Sequence, residues 1–340
     1  MDARSLLGFV IFSSYVVTSL ASSCSVYQYS YRHCNYTIVC TSHPGSISTR
    51  LCDSDTYVIF IIKNSQKEQL NPQFFSTTNF DTYVREVKAV GNSWNSIDAS
   101  AFRYYYLTLL LDLSGNNITR LDNDAFKSLN RLVYLNISNN DIETLQPNVF
   151  SNIDHRLKYL EELDLSNNKL AQLASELRGL ENLIKLSLQN NMLKNITDDA
   201  FIFLKKLSYL NLKNNQLTLL NLTLTNLKML RTLDVSNNFL LKMSGYEVNR
   251  LVNLRYFNAS HNAMTSVESN CFNQASSLQE VDLSYNYIKI NIESTMFANN
   301  NLLEYLDLYN NRIIGLQENS FQHTNLKYLN LTNNNLTGAL

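Results

Sequence analysis

An eleven-residue pattern, L-x-x-L-x-L-x-x-N-x-L with occasional substitutes at the leucine positions, recurs eleven times down this chain. The matches begin at Val84, Thr108, Leu132, Leu160, Leu183, Leu207, Leu230, Leu254, Leu278, Leu303 and Leu326, at steps of 23–28 residues. Position nine is asparagine in every match: Asn92, Asn116, Asn140, Asn168, Asn191, Asn215, Asn238, Asn262, Asn286, Asn311 and Asn334. Position nineteen is phenylalanine in six units: Phe102, Phe126, Phe150, Phe201, Phe272 and Phe321. A worn unit starting at Thr56 keeps Ile59, Ile61, Asn64 and Phe74 in step. Each unit reads as a short strand, a bend and a return segment. None can bury its apolar side alone, so the units must stack. Alternation along the strand sends the leucines inward and positions two, three, five, seven and eight outward.

The repeated amide follows from the bend. Backbone groups at a bend lose their ladder partners, and leaving them buried and unpaired is costly. An asparagine side chain carries both donor and acceptor, so it can satisfy neighbouring bends unit after unit. The asparagine is therefore structural. The phenylalanines form a second inner column.

These motifs resemble the leucine-rich repeat, whose period is about 20–29 residues, over residues 56–340. The resemblance implies an α/β solenoid: a horseshoe with a parallel β-sheet on its concave face and an irregular or short-helical convex side. The 24-residue unit with its phenylalanine is similar to Toll receptor ectodomains. The cysteine-bearing head and worn first unit are similar to insect secreted leucine-rich-repeat immune proteins. Both likenesses imply extracellular recognition of proteins, often in innate immunity.

With 340 residues, 45% of them apolar, the chain has ample material for a continuous core. Only 8 Gly and 3 Pro leave no linker, so the repeat reads as one solenoid. Residues 1–23 hold Arg4, an apolar run from Leu6 to Leu20, and small residues Ala21 and Ser23 before Cys24. That is the composition of a cleaved secretory signal peptide; a retained anchor is the alternative. Residues 24–55 then hold Cys24, Cys34, Cys40 and Cys52, read as two disulfides of an N-terminal cap in an oxidising compartment. Three pairings remain open. A zinc site is the alternative, but close CxxC pairs are missing. Cys271 stands apart at position eighteen, where other units carry Ala101, Ala125, Val149 and Ala200; it reads as a small buried residue.

Catalysis lacks a constellation. The five histidines (His33, His43, His155, His261, His323) are scattered, and neither G-x-S-x-G, a P-loop nor H-E-x-x-H occurs. No cofactor or metal is expected. Glu161 and Glu162 form an adjacent carboxylate pair, read as solvated surface. Sequons occur at Asn35, Asn117, Asn136, Asn195, Asn221, Asn258, Asn330 and Asn335, candidate glycosylation sites in a secreted chain.

The concave face is the expected partner surface. Position three carries Tyr134, Tyr209, Tyr256, Tyr305 and Tyr328, and tyrosine is a frequent interface anchor. Position five carries Asp or Asn in nine units, among them Asp112, Asp164, Asn211, Asp234, Asp282 and Asp307. Seven basic residues face ten acidic ones over the outward positions, a balance of −3. That does not support a basic groove for lipopolysaccharide or nucleic acid; a protein ligand or co-receptor fits better. Sequons Asn136, Asn258 and Asn330 share position five, so glycans there would leave residues 160–240 as the free window, with Asp164, Tyr209 and Asp234 as contacts. At the C-terminal end, "LKYLNLTNNNLTGAL" shows no cysteine cap, so either the chain continues or another chain covers Leu329, Leu331 and Leu336 in a homo- or hetero-oligomer. The competing functions are a secreted recognition protein, a truncated ectodomain of a cell-surface receptor or adhesion protein, and, distantly, a secreted enzyme.

Overall fold

The computed structural model describes residues 15–16, 24–30, 35–41, 57–64, 69–70, 83–99, 101–150, 157–220, 222–245 and 248–337. One sheet of fifteen strands runs through them, with strands in chain order. They are β1 (Tyr15–Val16), β2 (Cys24–Ser30), β3 (Asn35–Cys40), β4 (Tyr57–Ile62), β5 (Val84–Lys88), β6 (Leu110–Asp112), β7 (Tyr134–Asn136), β8 (Glu162–Asp164), β9 (Lys185–Ser187), β10 (Tyr209–Asn211), β11 (Thr232–Asp234), β12 (Tyr256–Asn258), β13 (Glu280–Asp282), β14 (Tyr305–Asp307) and β15 (Tyr328–Asn330). The first three pair antiparallel. From β3 onward every pairing is parallel. Register is constant from β6 to β15, so each repeat position forms a straight column across the sheet.

Three inner columns hold the stack together. The leucine columns come first: Leu135, Leu163, Leu186, Leu210 and Leu233 at position four are at most 2% exposed. The amide ladder comes second. Asn215 donates through Nδ2 to the carbonyls of Leu188 (3.0 Å) and Leu212 (2.9 Å), and its Oδ1 accepts the Leu193 N–H (3.0 Å). One amide thus ties position six of two units to position eleven of the earlier one. Asn140, Asn168, Asn191, Asn238, Asn262, Asn286, Asn311 and Asn334 repeat the arrangement. The phenylalanines come third, stacked in Phe102–Phe126 and Phe126–Phe150 at 6.2 and 6.1 Å between centroids. Phe297, one residue past position nineteen, takes the place of Met296 in this column and stacks on Phe272 at 5.4 Å. Cys271 is buried like Ala101, Ala125, Val149 and Ala200, as its position requires.

The doubled asparagines of the repeat have separate jobs. Position eight, just before the ladder amide, adopts positive φ in all eleven regular units, at Gly91, Gly115, Asn139, Asn167, Asn190, Asn214, Asn237, His261, Tyr285, Asn310 and Asn333. Glycine and asparagine tolerate that left-handed conformation best.

The worn unit is one residue out of the register expected for it. Val58, Phe60 and Ile62 are buried, while Ile59 and Ile61 are half-exposed. Phe60 pairs with Val87, and Asn92 donates to the Ile62 carbonyl as the later amides do to position six. Asn64, with φ of 56°, therefore occupies position eight rather than nine. "YVIFII" is apolar in both phases, so alternation could not choose between them. Phe74 lies outside the described residues.

At the N-terminal end Cys24 and Cys40 are cross-strand partners on β2 and β3 and are disulfide-bonded. Cys34 and Cys52 lie outside the described residues, as does nearly all of the segment read as a leader. Tyr36, Ile38 and Cys40 of the same hairpin are buried and close that end of the core. The convex side carries two-residue strand pairs, such as Gln172–Leu173 with Asn195–Ile196, and the 3-10 turns Ser175–Leu177 and Leu222–Asn226. Among the described residues no helix is long and apolar enough to cross a membrane.

Candidate recognition surface

Position five has a structural duty that the sequence reading did not give it. Oδ1 of Asp112, Asn136, Asp164, Asn211, Asp234, Asn258, Asp282, Asp307 and Asn330 accepts the backbone N–H two residues on, at 2.8–3.1 Å. The bond needs one acceptor oxygen, which the amide and the carboxylate both supply. Where the residue is aspartate, the charge is surplus to the turn.

The expected contact residues differ in accessibility. Within the 160–240 window Tyr209 is half-buried, and Asn211 is buried, donating to the Tyr209 hydroxyl (3.2 Å) and to Gln189 Oε1. Tyr134 is also half-buried; burial first, then Asp112, Asp164 and Glu162, push its hydroxyl up to about 12. Further along, Tyr256 and Tyr328 are both 42% exposed. Tyr305 stacks flat on Tyr328 at 4.4 Å and its hydroxyl donates to Asp307 Oδ2 (3.3 Å). Burial, then Asp307, hold that hydroxyl well above its ordinary range.

A second aromatic row lies at positions seven and eight, outside the position-three column expected from the sequence. His261 stacks on Tyr285 at 4.2 Å, and Tyr285 meets Tyr309 edge-on at 5.1 Å. Position ten adds Phe239 and Tyr287, both exposed, with the Arg312 guanidinium 4.8 Å from the Tyr287 ring centre. Reading positions seven, eight and ten for aromatics would have found the row.

At the N-terminal ends of β6 to β10, a groove of about 550 Å³ is lined by Leu109, Val133, Ile184, Tyr159, Arg131 and Lys206. Its lining holds a single carboxylate, Glu161, and no histidine. Glu162 is paired with Lys185 at 2.9 Å. Of the sequon asparagines, Asn117, Asn195 and Asn335 are exposed, whereas Asn136, Asn258 and Asn330 are half-buried on the sheet. Asn35 lies on β3, and Asn221 lies outside the described residues.

The family described as leucine rich repeat matches residues 90–142, 109–170, 181–240 and 228–288, and a second model of the same repeat matches 302–324 and 325–340. No curated protein matches the chain. Among solved structures, a Leptospira interrogans LRR protein is 24% identical over 81% of this chain and 73% of its own, with a TM-score of 0.64. The TLR13–ssRNA13 complex is 23% identical over 82% of this chain and 47% of the receptor chain, with a TM-score of 0.64. The APL1 leucine-rich repeat domain is 20% identical over 88% of this chain and 87% of its own, with a TM-score of 0.59. At these identities the likeness is one of fold. The family matches, the registered amide ladder and the parallel sheet together make this chain a member of the leucine-rich repeat family.

Proposed function

We propose that this chain is a non-enzymatic extracellular recognition module that binds a protein partner on its concave sheet, secreted after loss of residues 1–23 and glycosylated at some of its sequons. The observation that carries the reading is the sheet itself. Its outward columns present exposed tyrosines and spare carboxylates on a stacked scaffold. Neighbours in fold include receptors with ligands bound, TLR13 with ssRNA13 and the plant peptide hormone receptor RGFR1 with RGF2. The balance of −3 on this concave face disfavours a polyanion and leaves the protein or peptide class. A role in innate immunity rests on the likeness to Toll-type and APL1 domains.

A receptor ectodomain is the second reading, favoured by the chain's spanning 47% and 44% of the TLR13 and RGFR1 chains. Sequencing the transcript past the codon for Leu340 separates the two. The recognition reading is tested by capture of a partner from the source's extracellular fluid with wild type and with Asp164→Asn, Tyr209→Ala and Asp234→Asn. Reduced capture by concave substitutions, with capture unchanged by the convex Lys194→Ala, supports it. Capture indifferent to the whole concave face overturns it.

A further inference from the structure

Resting on the recognition reading, we infer that the C-terminal part of the concave face, across β12 to β15, is a docking surface for a basic segment of a protein partner, whose lysine or arginine side chains lie over Glu280, Asp282 and Asp307 between the rings of Tyr256, Tyr305 and Tyr285. Three independent observations converge here.

The first is charge. In the units starting at Leu278 and Leu303 the outward strand positions carry four carboxylates, Glu280, Asp282, Glu304 and Asp307, and no basic residue. Glu304 is paired with Lys327 (2.9 Å), whereas none of the other three is in an ion pair among the described residues. Arg255 and Lys327 stand at position two of the flanking units, Lys327 against Glu304. The position-five turn is equally served by asparagine at Asn136, Asn211, Asn258 and Asn330, so the fold does not require the charges of Asp282 and Asp307.

The second is the placing of rings on both sides of the carboxylates. Tyr256, Glu280, Tyr305 and Tyr328 are register partners in one column; Asn258, Asp282, Asp307 and Asn330 in the next. Beyond the strand ends, the His261–Tyr285–Tyr309 stack borders the same acidic column from the other side. A cation over a ring face, with carboxylates alongside, is held by both. Arg312 over Tyr287 shows the same pairing within this chain.

The third is strain. Tyr285 has φ of 53°, where seven other units use asparagine, two use glycine and one, His261, uses histidine. A bulky residue in the left-handed region is unfavourable, and such outliers gather at functional positions. Tyr285 is nonetheless 42% exposed, so its ring is not placed there to fill the core.

Sequons Asn258 and Asn330 bracket the acidic pair, with two strands between them. At strand spacings of about 4.8 Å the two sequons stand about 14 Å apart, so an extended segment fits here where they carry no glycan. The test uses the full secreted chain and two labelled ten-residue peptides, one alternating lysine with leucine, one alternating glutamate with leucine, read by fluorescence anisotropy. Asp282→Asn with Asp307→Asn keeps both turn hydrogen bonds and removes two charges, together with the acceptor of the Tyr305 hydroxyl; Glu143→Gln with Glu318→Gln makes the same charge change at exposed residues outside the concave positions.

The basic peptide binds wild type, the acidic one does not, the first double variant weakens binding about tenfold, and the second leaves it within about twofold. Ser260→Ala, which deletes the Asn258 sequon but not the Asn258 turn acceptor, leaves binding equal or tighter. Failure of the basic peptide to bind wild type, equal loss in both double variants, or full binding by the first overturns the inference. Either of the first two results alongside partner capture that still depends on the concave face removes this inference and leaves the recognition reading standing.

Discussion

A single side chain in this repeat does two kinds of work, and substitutions separate them. Asn215 makes three buried backbone hydrogen bonds across two units. Asn215→Ala leaves two carbonyls and one N–H buried without partners and is expected to cost about 2–5 kcal/mol by urea unfolding. Asp234 supplies only one acceptor bond to Ser236 N. Asp234→Asn therefore leaves stability within about 0.5 kcal/mol, whereas Asp234→Ala costs about 1 kcal/mol. Tyr134 sets a pH limit. Its hydroxyl is raised from 10.0 to about 12, so the folded state favours the protonated form. Its contribution is fully present below pH 10.0 and is lost as pH rises through about 12. Tyr134→Phe is expected to flatten the fall in stability across that window, measured by denaturant midpoints at each pH. The ladder asparagines were legible because their period is unbroken. The position-five turn was not, because aspartate and asparagine on an outward strand position look like ligand contacts until the backbone N–H two residues on is seen.

At the scale of the strand and the return segment, the columns carry the energetics. Phe126 stacks between Phe102 and Phe150 and is 1% exposed. Phe126→Ala opens the middle of that column and is expected to cost about 3–5 kcal/mol. Cys271→Ala at the neighbouring column removes one sulfur and is expected to cost about 1 kcal/mol; both are read by thermal or urea unfolding. The Cys24–Cys40 bond closes a separation of 16 residues on the hairpin that covers the N-terminal end. Its reduction is expected to lower stability by about 3 kcal/mol. Because coupling in a stacked array is between neighbours, hydrogen exchange should rise in β2 to β4 and remain unchanged from β9 onward. Strand positions and the inner columns were readable from spacing alone. The phase of "YVIFII" was not, since both faces of β4 are apolar. The second aromatic row was not either, since it is split between positions seven and eight.

On the scale of the whole molecule, a constant register turns a local pattern into extended surfaces of one chemistry. Leucines become a core, amides a ladder, and outward residues a face that is polar in its middle units and aromatic with carboxylates toward β15. The fold needs the first two. It does not need the exposed rings, the unpaired carboxylates, or a tyrosine at positive φ, and these features gather on one stretch of the concave sheet. Recognition through that sheet is the central claim. It is tested most directly by hydrogen-exchange footprinting of the chain with and without its captured partner. Protection is expected on the concave positions of consecutive units, with the convex return segments unchanged. Protection confined to the convex segments, with the concave sheet exchanging as in the free chain, would contradict it.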